Sequence, residues 1–259
     1  MRIPLYQLDA FTDRLFAGNQ AAVCVLEEWL PDQQLRSIAA ENNLSETAFL
    51  RACDDGWELR WFTPEVEVDL CGHATLAAAH LILHGLQPGR DSVRFFTRSG
   101  ELVVRRREHW LEMDFPARPP QPAQPPAGLV EALGRQPREI WKARDYMAVY
   151  ETEEEVRDLR PDMAGLGRVE MFAVIVTAPG READFVSRFF APAAGVPEDP
   201  VTGSAHCTLA PYWAQRLGRN QLQARQLSRR GGELVCEVRG DRVLLSGQAV
   251  LYLEGFIRL

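Results

Sequence analysis

The sequence predicts an α+β fold of two pseudo-symmetric lobes, each a β-sheet or partial barrel around a central helix. Three observations predict it: the chain repeats itself, a proline-rich break separates the repeats, and strand-like runs outnumber helical ones. Arg60-Trp61-Phe62-Thr63-Pro64 resembles Arg188-Phe189-Phe190-Ala191-Pro192 at an offset of 128 residues. Gly72-His73-Ala74 resembles Gly203-Ser204-Ala205 at 131, and Gly100-Glu101-Leu102-Val103 recurs as Gly232-Glu233-Leu234-Val235 at 132. Three matches in one order at nearly one offset indicate duplication of a domain-sized half, since solenoid repeats are far shorter. Between the halves, Pro116 to Pro126 reads P-A-R-P-P-Q-P-A-Q-P-P. Proline fixes φ and removes the N–H donor, so this stretch is an extended linker, neither helix nor central strand. The expected lobes are residues 1–117 and 118–259, and the extreme C-terminal strand is free to pack on the N-terminal lobe.

Periodicity then assigns the elements in order. Strands rich in β-branched and aromatic residues are expected at Tyr6–Phe11, Ala21–Leu26, Thr47–Arg51, Trp57–Phe62, Ser92–Thr97, Gly100–Arg105 and Trp110–Phe115. Pro31–Asn42 reads as a helix with Leu35, Ile38 and Ala39 on its apolar face. His73–His84 reads as a small-residue helix ended by Gly85. In the second half, strands are expected at Tyr146–Tyr150, Phe172–Thr177, Leu234–Val238 and Arg242–Ser246, and helices at Ala183–Phe190 and Ser204–Leu217.

Composition excludes several classes of function. With 259 residues, 46% hydrophobic and 25% charged, the chain buries a large core without disulfide or metal staples. A net charge of −7 without a long basic run argues against nucleic acid and anionic membranes as partners. The longest apolar stretch, Ala74–Leu83, is too short to span a bilayer, and the N-terminus does not read as a signal peptide. Five cysteines, none spaced C-x-x-C, fit reduced thiols in the cytoplasm. Lys142 is the only lysine, so Schiff-base chemistry would depend on that one side chain. No phosphate-cradling G-x-x-x-x-G-K-[ST] loop occurs, and Gly165-Leu166-Gly167 lacks the third glycine of a dinucleotide fingerprint. His80 and His84 have the spacing of a zinc-binding helix but lack the glutamate of H-E-x-x-H, so they read as helix-surface residues.

Both copies of the best-matched motif lie where a loop enters a central helix. One is Asp69-Leu70-Cys71-Gly72-His73-Ala74-Thr75; the other is Glu198-Asp199-Pro200-Val201-Thr202-Gly203-Ser204-Ala205-His206. Glycine admits close backbone approach, and a helix start presents unpaired N–H groups and a positive dipole end. Two such starts suit a small carboxylate substrate. Read singly, each is equally an ordinary turn with a Ser or Thr cap.

These motifs carry a resemblance over nearly the whole chain. The opening Leu8-Asp9-Ala10-Phe11-Thr12 with Phe16-Ala17-Gly18-Asn19, the segment Asn43-Leu44-Ser45-Glu46-Thr47-Ala48-Phe49, both helix starts, Arg230-Gly231-Gly232 and Gly240-Asp241-Arg242-Val243 resemble the phenazine biosynthesis PhzF-like family, within the diaminopimelate epimerase superfold. Gln20 departs from the family, which more often has proline there, and leaves the local loop geometry open. The resemblance implies a site between two lobes, a homodimer, no metal and no organic cofactor, and isomerase chemistry on a small carboxylate. By residue-for-residue match, Glu46 is the glutamate that moves a proton between carbons of a dihydro-hydroxyanthranilate ring in the phenazine pathway member. By the same match His73, Asp199 and Ser204 would bind and orient the substrate, and Gly72 and Gly203, at the two helix starts, are read as substrate-binding with them.

The side chains fit those roles. Glu46, between an apolar helix and an apolar strand, should be partly desolvated, which suits a group that both takes and returns a proton. His73 could hold a carboxylate or stabilise a developing enol oxygen. Asp199 could orient His73 or bind a substrate amine. Related racemases of this superfold use one cysteine per lobe. Cys71 stands at the first such position, but Thr202 stands at the second and Cys207 falls a helical turn later. A two-thiol racemase is therefore disfavoured, and Cys71 reads as a small buried residue. An epimerase or racemase, and a binding protein without turnover, are the alternatives to the isomerase.

Overall fold

The computed structural model describes residues 1–259. The first half contains β1 (Arg2–Ala10), β2 (Asn19–Leu26), α1 (Asp32–Asn42), β3 (Glu46–Cys53), β4 (Gly56–Phe62), β5 (Glu67–Val68), α2 (Gly72–His80), β6 (Ser92–Thr97), β7 (Gly100–Arg107) and β8 (Trp110–Pro116). The second half begins with β9 (Gln121–Pro122), α3 (Leu129–Leu133), β10 (Glu139–Lys142), β11 (Tyr146–Val149), α4 (Glu153–Asp158), α5 (Met163–Leu166), β12 (Val174–Pro179) and β13 (Phe185–Ala191). It continues with β14 (Val196–Asp199), α6 (Gly203–Leu217), β15 (Gln221–Gln226), β16 (Gly232–Arg239), β17 (Arg242–Gly247) and β18 (Ala249–Arg258). The chain divides into two compact units, Met1–Asp114 with Ser246–Leu259, and Phe115–Leu245.

The pairing repeats from unit to unit, as the α+β reading expects. In the first, β2 runs parallel to β3, β3 antiparallel to β4, and β4 pairs antiparallel with β5 and parallel with β6. In the second, β11 runs parallel to β12, β12 antiparallel to β13, and β13 pairs antiparallel with β14 and parallel with β15. A parallel neighbour requires a crossover, and α2 and α6 supply it in corresponding places. In the first unit, β18 pairs antiparallel with β1.

Duplication extends to a charged clamp. Arg60 donates through Nε and Nη2 to the two carboxylate oxygens of Glu67 at 2.7 and 2.8 Å. Arg188 does the same to Glu198 at 2.7 and 3.1 Å. Each guanidinium also lies over the ring two residues on, 5.1 Å from Phe62 and 4.9 Å from Phe190. Bidentate pairing fixes orientation as well as distance. Each clamp ties a long strand to the short strand that leads into the central helix.

The two helices differ in how they are buried. From His73 to Ala79 every residue of α2 is buried, and alanines at 74, 77, 78 and 79 keep it thin. It contacts β1, β2, β3 and β18. Along α6, Trp213 stacks on Phe185 at 5.8 Å and donates from Nε1 to the Thr177 hydroxyl. Pro211 lies inside α6 and has no N–H for the carbonyl of Cys207. The N–H of Arg118, from the proline-rich linker, donates to that carbonyl at 2.9 Å.

Two expectations need correction. Ala183–Phe190 is not a helix; residues 185–191 form β13, buried at every position. A short apolar run does not distinguish a buried strand from a buried helix by periodicity. The internal match to Arg60–Pro64, whose first three residues lie on β4, was the better guide. The helix from His73 does not continue to His84 as an α-helix. It widens out of α geometry at Leu81, and a π-helical turn, Leu81–Leu86, runs through Gly85.

Candidate active site

Glu46 is the first residue of β3. Helix α1 ends at Asn43, whose left-handed backbone (φ 49°, ψ 38°) reverses the chain. The Asn42 side-chain amide donates to the Thr47 hydroxyl at 3.1 Å, which fixes the strand start. Parallel pairing sets Glu46 beside Ala21 of β2, two residues beyond Asn19. Asn19 in turn follows Gly18, which has φ 64° and would place a Cβ 2.2 Å from the Ala10 carbonyl oxygen. Only glycine fits there, which explains the Ala17-Gly18-Asn19 motif. Gln20, where the loop geometry was open, lies in β2 opposite Asp9.

Three of these elements bring Glu46, His73, Cys71 and Asn19 together within the first unit. His73 is 5% exposed. Its Nδ1 lies 3.3 Å from the Asn19 amide nitrogen and 3.5 Å from the Cys71 sulfur. Its Nε2 lies 3.2 Å from Glu46 Oε2. That approach is off the angles of a hydrogen bond, so both Nε2 and Oε2 are buried without a hydrogen-bond partner. Buried polar atoms of this kind are rare in folded proteins, and each marks a place where a partner belongs.

Burial opposes charge on the His73 ring, but the acidic groups beside it, Cys71 and Glu46, outweigh it and hold the ring well above the ordinary imidazole value. Burial, and then the charge of Glu46, pushes the Cys71 thiol up. The cluster thus sets an imidazole whose charged form is favoured beside the Glu46 carboxyl group and a buried thiol. Such a pair can accept a proton at the carboxylate and stabilise negative charge near the ring.

The second unit builds its helix start around hydroxyls, an amide and a carboxylate. Gly203 opens α6 after Thr202, as Gly72 opens α2 after Cys71, and no side-chain hydrogen bond caps either helix. The Thr202 hydroxyl donates instead to Asp199 Oδ2 at 2.5 Å. The Gln226 side chain accepts from the Thr202 N–H at 2.9 Å and donates to the Asp199 carbonyl at 2.7 Å. Ser204, in the place of His73, lies 3.5 Å from the Arg144 guanidinium, which is held by the buried carboxylate of Asp145.

Other sequence candidates serve structure. His206 is wholly buried, with Nδ1 2.8 Å from the Thr202 carbonyl, and burial pushes it down to about 4. His80 and His84 stack on each other at 4.3 Å. Sequence reasoning assigned no role to Asn19, although its motif was quoted. It missed Gln226, on β15, and Arg144, in the turn between β10 and β11, which reach the second helix start from distant parts of the chain and carry no local signature.

A family model described as phenazine biosynthesis-like protein matches residues 8–255. An uncharacterised isomerase of Pseudomonas aeruginosa is 54% identical, with all of both chains covered. A crystal structure of a phenazine biosynthesis PhzF family protein from Enterococcus faecalis superposes with a TM-score of 0.97 at 44% identity, covering both chains completely. A hydroxyproline epimerase from Agrobacterium vitis shares the fold alone, with a TM-score of 0.63 at 11% identity over 99% of this chain and 91% of that one.

Proposed function

The chain belongs to the phenazine biosynthesis-like (PhzF) family of isomerases, and from that premise we propose that it moves a proton between carbons of a small carboxylate, with Glu46 as the shuttle. The single observation that carries this is the pair of unsatisfied buried atoms, Glu46 Oε2 and His73 Nε2, 3.2 Å apart. Glu46 takes a proton from a substrate carbon, and the electron pair left behind spreads into an adjacent unsaturated group. His73, whose charged form its acidic neighbours favour, stabilises the oxygen on which that charge collects. Glu46 then returns the proton to a second carbon. Atoms and electrons balance, with no redox change and no co-reactant.

Gly72, Gly203 and Ser204 present helix-start N–H groups for anionic parts of the substrate. Asp199, oriented by Thr202, is a substrate-binding carboxylate. We read the protein as a cytoplasmic homodimer. Its five free thiols fit a reducing compartment. No helix is long and apolar enough to cross a membrane. The exposed Leu251, Tyr252, Leu253 and Phe256 of β18, with Phe16 edge-on to Tyr252, supply an apolar surface for the second copy. Light scattering should give about twice 29.2 kDa; a monomer at micromolar concentration contradicts the dimer.

One observation favours an epimerase as the second reading: the Cys71 sulfur lies 3.5 Å from His73 Nδ1, where a thiol base would be activated. Solvent-deuterium exchange into a panel of small unsaturated and amino carboxylates separates the readings. The isomerase shifts a double bond and incorporates deuterium at a new carbon; the epimerase exchanges at one stereocentre. Glu46→Gln should abolish exchange while ligand binding persists, and Cys71→Ala should retain most of it. The opposite pattern replaces the glutamate shuttle with the thiol.

A further inference from the structure

We propose that Glu46, Cys71 and His73 form a binding site for a thiophilic divalent cation of the zinc type, and that its occupation reversibly silences the protein. The silencing, but not the binding, rests on the reading of Glu46 as proton shuttle. One oxygen, one sulfur and one nitrogen donor from these residues lie within 4.8 Å of one another. Cys71 and His73 are 6% and 5% exposed, so the donors are held by packing and not scattered on a surface.

Two of the three ligand atoms stand ready. Glu46 Oε2 and His73 Nε2 have no hydrogen-bond partner, so a cation displaces only the ring proton from the pair. Their separation of 3.2 Å is close to the edge of a tetrahedron drawn with metal bonds of about 2.0 Å to nitrogen and oxygen. The Cys71 sulfur, 3.5 Å from Nδ1, must turn about its Cα–Cβ bond to close the third position. Asn19 lies against Nδ1, the other ring nitrogen, at 3.3 Å. With its amide turned so that Oδ1 faces the ring, Asn19 would accept from the Nδ1–H and fix a metal-bound histidine as an outer-shell partner.

The donor set selects the cation. Magnesium and calcium require oxygen ligands throughout, whereas zinc and cobalt accept a thiolate, an imidazole and a carboxylate together. On binding, the Cys71 S–H and His73 Nε2–H bonds break, both protons leave to solvent, and the freed sulfur and nitrogen lone pairs form the bonds to the metal, with no oxidation or reduction. The cation takes the carboxylate lone pair that would accept the substrate proton and neutralises the ring beside it. Turnover stops until a chelator removes it.

Cobalt(II) is the test probe, added to the full-length protein after chelator treatment. A single equivalent should bind, with a thiolate-to-cobalt charge-transfer band in the near ultraviolet, and zinc should erase that band. Cys71→Ser, which preserves shape, should lose the band, whereas substitution of the exposed Cys53 by serine should leave it unchanged. Glu46→Gln should weaken cobalt binding by at least about tenfold, because the carboxylate is a direct ligand. Circular dichroism confirms that each variant is folded. Binding without the band, the same band in Cys71→Ser, or no binding below about 100 µM overturns the site. Exchange of solvent deuterium is read separately on metal-free protein, so a failed proton shuttle leaves the cation result standing and the reverse.

Discussion

The two helix starts share a backbone plan and divide the chemistry between them. Cys71-Gly72-His73 and Thr202-Gly203-Ser204 occupy matching places, each after a short strand clamped by an arginine and a glutamate. In the first unit the matching side chains titrate, and Glu46 stands beside them. In the second, a hydroxyl, an amide and one carboxylate are locked into mutual hydrogen bonds. Duplication supplied two equal frames. One frame carries an imidazole and a thiol at the helix start, with a glutamate beside them; the other carries hydroxyls, an amide and an aspartate.

Exchanging the reactive groups should break that contrast most severely. Glu46→Gln preserves size and hydrogen bonding but cannot take a proton, so turnover should fall by about 10³-fold with little change in ligand affinity. Ser204→Ala removes one hydroxyl at the matching helix start. Its effect should fall mainly on KM, by about tenfold, the worth of a single hydrogen bond. Steady-state kinetics on both variants tests the division directly. A larger kcat loss for Ser204→Ala than for Glu46→Gln would place the proton chemistry in the wrong unit.

The two clamps look alike but should not be equally important. The Arg188 side chain is 9% exposed and also donates to the carbonyls of Val156 and Leu159. Arg188→Met leaves these oxygens and Glu198 without their donor, at a cost of about 3–5 kcal/mol. Arg60→Met leaves Glu67 with a second partner, Arg98 at 2.6 Å. It should cost only about 1–2 kcal/mol. Urea unfolding midpoints measure both, and equal losses would show that the extra bonds of Arg188 add nothing.

Acid should act on the second helix through His206. Burial lowers this ring from 6.5 to about 4. The folded protein therefore binds fewer protons than the unfolded chain between those values. The stability this neutral ring permits is complete above the unfolded value and is lost as pH falls toward 4. The full loss is on the order of 3 kcal/mol. His206→Asn, which can still donate to the Thr202 carbonyl, should flatten the decline between pH 6.5 and 4. His80, likewise lowered to about 4 by burial, leaves a residual slope in both proteins. An unchanged slope in the variant would mean that His206 is not the group responsible.

Much of this was legible in the sequence because it is local. The duplication shows in three short matches, and Glu46, Gly72, His73, Asp199, Gly203 and Ser204 sit in contiguous motifs. What stayed hidden comes from residues distant in the chain. Gln226 reaches the Thr202 N–H across 24 residues, and Arg118 finds the Cys207 carbonyl across 89. The strand β13 was misread for a different reason, since seven buried residues in a row erase the alternation that identifies a strand.

The smallest expected effect concerns the proline that distinguishes α6 from α2. Proline in a helix interior costs roughly 3 kcal/mol, in part because it leaves a carbonyl without its donor and in part because its ring crowds the preceding turn. Here the first part is already answered: the Cys207 carbonyl accepts the Arg118 N–H at 2.9 Å. Replacing Pro211 with alanine would bring in an N–H that competes for the same oxygen, and Arg118 would have to seek another partner. The gain in helix propensity and the loss of the linker contact should nearly cancel, leaving the unfolding free energy within about 1 kcal/mol of wild type. Hydrogen exchange at the Arg118 amide should quicken in the variant even so, because the new helical bond displaces it. A stabilisation of the full 3 kcal/mol with slow exchange at Arg118 would show that the linker contact does not stand in for the missing helical bond.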